Sequence, residues 1–101
     1  MSAALSIRNG SIYLSADDYD VYFRGLDAVI VIIRDNELHI LPVQQVTAGG
    51  YILKIRSANG DRVVSAPDVF IEHDLMDWKA QSVEATWCAD RGALICPIPR
   101  V

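Results

Sequence analysis

The sequence predicts a mainly β protein with two short helices, written as one ββαββ unit twice over. Three observations carry this. The stretch "SIRNGSIYLSADDYD" at residues 6–20 is answered fifty positions later by "RSANGDRVVSAPDVF", so that Asn9/Asn59, Gly10/Gly60, Ser15/Ser65, Ala16/Ala66 and Asp18/Asp68 fall in register. Asn-Gly between two alternating runs is the strongest short-range signal for a β-hairpin, because a type I′ turn needs positive φ at both central residues. The third is size: 101 residues, 51% of them apolar and 22% charged, make a single globular domain with one core.

Each element follows from local chemistry. In the first hairpin a two-residue loop sets Leu5 against Leu14 and Ile7 against Ile12, keeping apolar side chains on one face. The same geometry around Asn59-Gly60 sets Ile55 against Val64. Ser15 and Ser65 stand as helix N-caps, with Asp18 and Asp68 three residues on in a capping-box arrangement. Asp17 and Asp20 add negative charge where the helix dipole favours it, and Pro67 suits a first turn whose N–H groups lack helical partners. The helices are expected at about 16–24, closed by Gly25 at C′, and about 67–76. Strands follow at 28–34 and 37–42, then at 82–88 and 93–98, joined by the turn-favouring "RDNE" and "ADRG". Five extra residues, "WKAQS" at 78–82, break the repeat. Repeat one spans about 3–43, a linker with Gly49-Gly50 about 44–50, and repeat two about 51–98, all in one domain.

The net charge of −4 divides into −3 over residues 1–50 and −1 over residues 51–101. Affinity for nucleic acid draws on Lys and Arg neutralising phosphates, so this balance weighs against such a role without a local basic patch. No basic-then-apolar leader opens the chain, and the longest apolar run, Ala28–Ile33, falls far short of the roughly 20 residues that span a bilayer. A cytoplasmic protein with no membrane contact is the expectation. Cys88 and Cys96 then read as reduced thiols, with a pair across the hairpin turn as the alternative. No second cysteine pair or neighbouring His completes a metal site, and no cofactor is expected.

The stretch "NGDRVVSAPDVFIEHDLMDWKAQSVEATWCADRGALICPI" resembles the swapped-hairpin barrel of AbrB-like regulators and MazE-like antitoxins, in Gly60, Arg62, Val63, Pro67, Leu94 and Pro97. Asp61 interrupts the Gly-Arg of that pattern, and the first copy keeps Gly10, Leu14 and Pro42 but lacks the Arg and the pre-helix Pro. In the family a dimer usually completes the barrel, whereas MraZ-like proteins carry two copies in one chain. The resemblance therefore implies a single pseudo-twofold barrel closed by the two repeats, with two separate ββαββ units as the alternative.

Catalytic motifs are missing: there is no phosphate-cradling Gly-Lys loop, His-Glu-x-x-His, Cys-x-x-Cys or Gly-x-Ser-x-Gly. His39 reads as a partly buried or surface strand residue, and His73 as part of a solvated helix face. The protein is not expected to be an enzyme. The first expectation is a protein-interaction module, accessory or regulatory, that binds another protein or itself. Its candidate anchors are Tyr19 and Tyr22 on the first helix and Trp78 in the insertion, since exposed aromatics commonly anchor interfaces. The alternative, a DNA-binding regulator or antitoxin, rests on the resemblance, which points to basic hairpin residues: Arg8, Lys54, Arg56 and Arg62. Strand alternation puts Lys54 and Arg56 on one face and Arg62 on the other.

Overall fold

The computed structural model describes residues 2–44 and 50–99. Among them the chain forms β1 (Ser2–Arg8), β2 (Ser11–Leu14), α1 (Ala16–Tyr22), β3 (Ala28–Arg34), β4 (Glu37–Val43), β5 (Tyr51–Ile52), β6 (Lys54–Ile55), β7 (Arg62–Ser65), α2 (Pro67–Glu72), β8 (Ala80–Cys88) and β9 (Ala93–Pro97). The strands make one antiparallel sheet in the order β5-β3-β4-β9-β8-β1-β2-β7-β6. Its two ends meet: β5 pairs with β3 and β6 with β7, and only Leu53 separates β5 from β6. One extended segment thus nearly closes the sheet into a barrel, which removes the free edges an open sheet would expose. Leu53 itself is buried and donates its N–H to Asp27 O at 2.8 Å.

The core follows strand alternation. Leu5, Ile7, Ile12, Leu14, Val29, Val31, Ile33, Leu38, Ile40, Val64, Ala85, Leu94 and Cys96 point inward and are buried. Each helix adds aromatic rings to this cluster. From α1 and its C-cap come Tyr19 and Phe23, and from α2 comes Phe70.

The first hairpin is as expected, with Leu5 opposite Leu14 and Ile7 opposite Ile12, and φ of +51° and +75° at Asn9 and Gly10. Asp35 and Asn36, at φ +55° and +60°, make a second tight turn between β3 and β4. The Ser15 hydroxyl accepts the Asp18 N–H at 3.1 Å and caps α1. The Asp18 carboxylate then accepts the N–H of Ala4 at 3.1 Å, tying the helix to β1.

Several expectations are corrected. The second hairpin is not a two-residue turn, and Ile55 lies opposite Arg62 rather than Val64. Here Gly60 N–H donates to Ser57 O at 3.1 Å and Arg56 N–H to Asp61 O at 2.7 Å, closing a four-residue loop. The Ser57 hydroxyl holds it by donating to Asp61 Oδ2 at 3.0 Å, an interaction that a turn at Asn59-Gly60 alone would forgo. Ser65 ends β7 and caps nothing: Ala66 is the N-cap of α2, without a side-chain bond, and Asp68 instead accepts from the Tyr51 hydroxyl. Both helices are shorter than expected. α1 ends in a C-cap at Phe23 and α2 at His73, so Gly25 stands one residue past C′. β8 begins at Ala80, taking part of the insertion into the sheet. The Cys88 partner is Ala93 and the Cys96 partner is Leu38, so the two thiols are not opposite and both are free. His39 is buried at 3% exposure, its Nε2 lying 3.3 Å from Glu37 Oε1 but outside hydrogen-bond geometry. Most of the expected linker, residues 45–49, lies outside the described residues.

Candidate functional site

A concavity opens on the outer face of the barrel beside the first hairpin. It encloses about 590 Å³ and is lined by Ser6, Ile7, Arg8, Tyr13, Arg56, Lys79, Ala80 and Gln81. Strand alternation explains the cast. Leu5, Ile7, Ile12 and Leu14 turn inward, so Ser6, Arg8 and Tyr13 turn outward from the same hairpin. Tyr13 stands opposite Ser6 on β1 and Val63 on β7, and Val63 stands opposite Lys54 on β6.

Tyr13 organises the charge. The guanidinium carbon of Arg8 lies 4.4 Å from the centre of its ring and that of Arg56 lies 4.8 Å away. Each cation gains from the ring quadrupole, about 0.5–1 kcal/mol at an exposed site. The two like charges are thereby held close, which costs roughly half a kcal/mol in water and more where the dielectric falls. No carboxylate lies within ion-pair distance of Arg8, Arg56 or Lys79 among the described residues. Asp61, which shares an adjoining hollow with Arg56, is committed elsewhere. Its Oδ1 accepts the Ala16 N–H at 2.8 Å and its Oδ2 the Ser57 hydroxyl.

The opposite wall comes from the insertion that breaks the repeat. Register slips between Leu5 and Ile7 of β1, which face Val83 and Ala80 of β8. One residue of β1, Ser6, therefore faces two of β8, Gln81 and Ser82. Ser82 takes φ of +54°, the left-handed region that costs a side-chain-bearing residue energy, and its N–H points at Ser6 Oγ at 3.5 Å. A bulge of this kind re-aims its neighbours. Here the neighbour on the cleft side is Gln81, and Lys79 lies two residues before it.

The sequence candidates divide accordingly. Arg8 and Arg56 come together at the cleft, and Lys54 lies exposed on the same outer face, one strand beyond Val63. Arg62 does not join them. Its guanidinium carbon sits 3.9 Å from the centre of the Tyr19 ring, and it donates to Gly60 O. Tyr19 and Trp78, sought as exposed anchors, are both buried. The Tyr19 hydroxyl donates to Leu26 O at 2.8 Å, and Trp78 stacks on Phe70 with ring centres 6.2 Å apart. Tyr22 is half-buried and stacks on Trp87 at 5.7 Å; burial, followed by the nearby Asp18 charge, raises its pKa. Tyr13, Lys79, Gln81 and Ser6 were missed as candidates. Lys79 and Gln81 did carry a signal, since both fall in the five residues, 78–82, that interrupt the repeated sequence pattern.

Comparison with protein-family models, with curated proteins and with solved structures finds no match. The cleft is thus read from its own chemistry. It presents three cations, one phenol, one hydroxyl and one amide, a set rich in donors. No three His, Cys, Asp or Glu side chains gather as a metal site among the described residues, and no helix is long and apolar enough to cross a membrane.

Proposed function

We propose that this chain is a small non-enzymatic binding module, accessory or regulatory, that engages an acidic segment of a partner protein through the cleft face. The observation that carries this is the convergence of Arg8 and Arg56 on Tyr13, beside Lys79 and without a carboxylate partner among the described residues, in a chain of net charge −4. A local positive concavity in a negative protein selects a partner by charge complementarity at one spot. The unpaired cysteines fit a cytoplasmic setting.

The fold belongs to the same proposal: two ββαββ copies forming one pseudo-twofold barrel of the AbrB, MraZ and MazE type. Exchanging the halves, so that β1 trades with the 51–55 segment, β2 with β7, β3 with β8 and β4 with β9, reproduces the strand order. The hairpin tips support it too. Gly10 O accepts the Ala66 N–H at the start of α2, and Asp61 beside Gly60 accepts the Ala16 N–H at the start of α1. Each tip thus meets the helix start of the other half, as swapped hairpins would.

A second reading, DNA binding, is favoured by Arg8, Arg56 and Lys54 sharing one outer face. It ranks lower because the net charge repels a polyanion and Arg62 is turned away onto Tyr19. Fluorescence anisotropy with duplex DNA over a salt series, and retention on an immobilised acidic peptide, separate the two. Peptide retention that disappears in the Arg8→Glu/Arg56→Glu variant supports the proposal. Failure to retain the peptide at low ionic strength overturns it, and salt-sensitive DNA binding lost in the same variant puts the second reading in its place.

A further inference from the structure

We infer that the cleft is also a binding site for a small phosphorylated ligand, with the phosphate seated among Arg8, Arg56 and Lys79. This rests on the reading of the cleft face as the recognition surface and adds a ligand class to it.

The argument begins with the donor count. Two guanidinium forks and an ammonium bring three positive charges to one concavity of about 590 Å³. A single carboxylate would leave most of these donors unmatched. A phosphate or pyrophosphate group, with two or more negative charges and several acceptor oxygens, matches them in both number and charge. Ser6 adds to the set, because its Oγ faces the Ser82 N–H as acceptor and its own proton remains to donate. Gln81 can donate its amide from the wall opposite Tyr13.

The second part is preorganisation. Tyr13 holds Arg8 and Arg56 in place before any ligand arrives, and an arginine already ordered loses less freedom on binding. Lys79 is fixed at its root by its neighbour Trp78, which is buried in the core. The left-handed φ of Ser82 bulges β8 just where Gln81 joins the wall. Backbone strain of this sort persists only where the surroundings enforce it. Here the inserted segment and the strained bulge at its last residue, Ser82, shape the same wall.

The shape argues for a small ligand over a polymer. Duplex DNA needs a row of cations along an accessible face, whereas these three converge on one hollow. Asp18, whose carboxylate accepts the Ala4 N–H, and Glu84, opposite Ala4 on β8, stand beside the hollow and would repel a polyanion running past it.

Isothermal titration calorimetry with inorganic pyrophosphate, and with adenosine diphosphate against unphosphorylated adenosine, tests this on the full chain at low ionic strength. Pyrophosphate and the diphosphate are expected to bind one to one, and adenosine not at all. Arg8→Gln, Arg56→Gln and Lys79→Gln should each weaken binding about tenfold, the loss of one charge-assisted contact, while Arg34→Gln at the far β3–β4 turn leaves it unchanged. Amide shifts on adding pyrophosphate should centre on Gln81 and Ser82. No binding by wild type, or binding that the three variants leave intact, overturns the inference. So does duplex DNA binding without pyrophosphate binding, which assigns the cations to a polymer. Pyrophosphate binding without retention on acidic peptide or DNA would keep this site and remove the macromolecular reading alone.

Discussion

The indole of Trp78 lies stacked on Phe70, ring centres 6.2 Å apart and planes 29° from parallel, joining the first residue of the insertion to the buried ring of α2. Through this contact the core fixes the segment that goes on to line the cleft. Trp78→Ala should cost about 3–5 kcal/mol, the range for emptying a buried aromatic site. The indole Nε1–H is buried without a hydrogen-bond partner, so Trp78→Phe removes an unsatisfied donor along with part of the ring. It should cost at least about 2 kcal/mol less than Trp78→Ala. Urea unfolding of the two variants measures the difference, and equal losses would contradict this account of the packing.

Gly10 packs the tip of the first hairpin tightly against the start of α2. Its φ is +75°, and a Cβ there would lie 2.8 Å from the Pro67 Cα and 2.9 Å from Met76 Sδ. Gly10→Ala therefore combines left-handed strain with a backbone clash and should cost at least about 2 kcal/mol. Gly25, at φ +78°, has open space around it, so Gly25→Ala should cost about 1 kcal/mol from strain alone. Thermal melts of both variants check the order, and a Gly25 variant as damaged as the Gly10 variant would refute it.

The two serines at the helix starts look alike in sequence and differ in the structure. Ser15 Oγ caps α1, whereas Ser65 ends β7 and α2 starts without a side-chain cap. Ser15→Ala should cost about 1 kcal/mol. Ser65→Ala, at an exposed strand end, should stay within about 0.5 kcal/mol. Chemical denaturation separates them, and equal losses would mean that Ser65 caps α2 in solution.

That pair marks the boundary of what the sequence could disclose. Signals that are satisfied locally were legible: the Asn9-Gly10 turn with its register, the Asp35-Asn36 turn and the Ser15 cap each depend on a few adjacent residues. The Asn59-Gly60 turn failed because Ser57 and Asp61 offered side-chain bonds that a dipeptide motif does not reveal. Asp61 was further engaged by the Ala16 N–H, 45 residues away. The candidate site was half legible for a similar reason. Arg8 and Arg56 could be placed on hairpins, but their meeting over Tyr13 depends on β6, β7, β2 and β1 lying side by side. Trp78 read as a surface anchor because the repeat did not need it. The core uses it nonetheless, as the root of the insertion.

Closure of the barrel carries its own alkaline signature. The Tyr51 hydroxyl of β5 donates to Asp68 Oδ2 of α2 at 2.6 Å. Burial first, then this bond and the negative charges of Asp68 and Glu72, push the phenol up to about 12 from its usual 10. A raised acid is favoured in its protonated folded form, so the stabilisation is complete below pH 10 and is lost as the pH climbs from 10 to 12. Tyr51→Phe should lose about 0.5–1 kcal/mol at pH 8 and flatten that stretch of the stability curve. Denaturation at stepped alkaline pH reads both effects, and an unchanged slope in the variant would remove Tyr51 as the cause.

The two thiols give the last test, because they share a hairpin and not an environment. Cys88 is half-buried near the end of β8, while Cys96 is fully buried on β9 opposite Leu38. Burial pushes the Cys96 thiol up to about 11 from its usual 9, so near neutral pH it presents almost no thiolate to an alkylating reagent and no path for one. Iodoacetamide at pH 8 should modify Cys88 and spare Cys96 until the chain unfolds, as read by mass spectrometry of the digested protein. The same raised pKa means that Cys96 favours folding most below pH 9, a contribution that fades between pH 9 and 11. Cys96→Ala should make stability less sensitive to pH across that window, at the cost of a small cavity. Labelling of both cysteines at matching rates in the folded protein would show that β9 opens freely, which a barrel closed around Leu38, Leu94 and Cys96 does not permit.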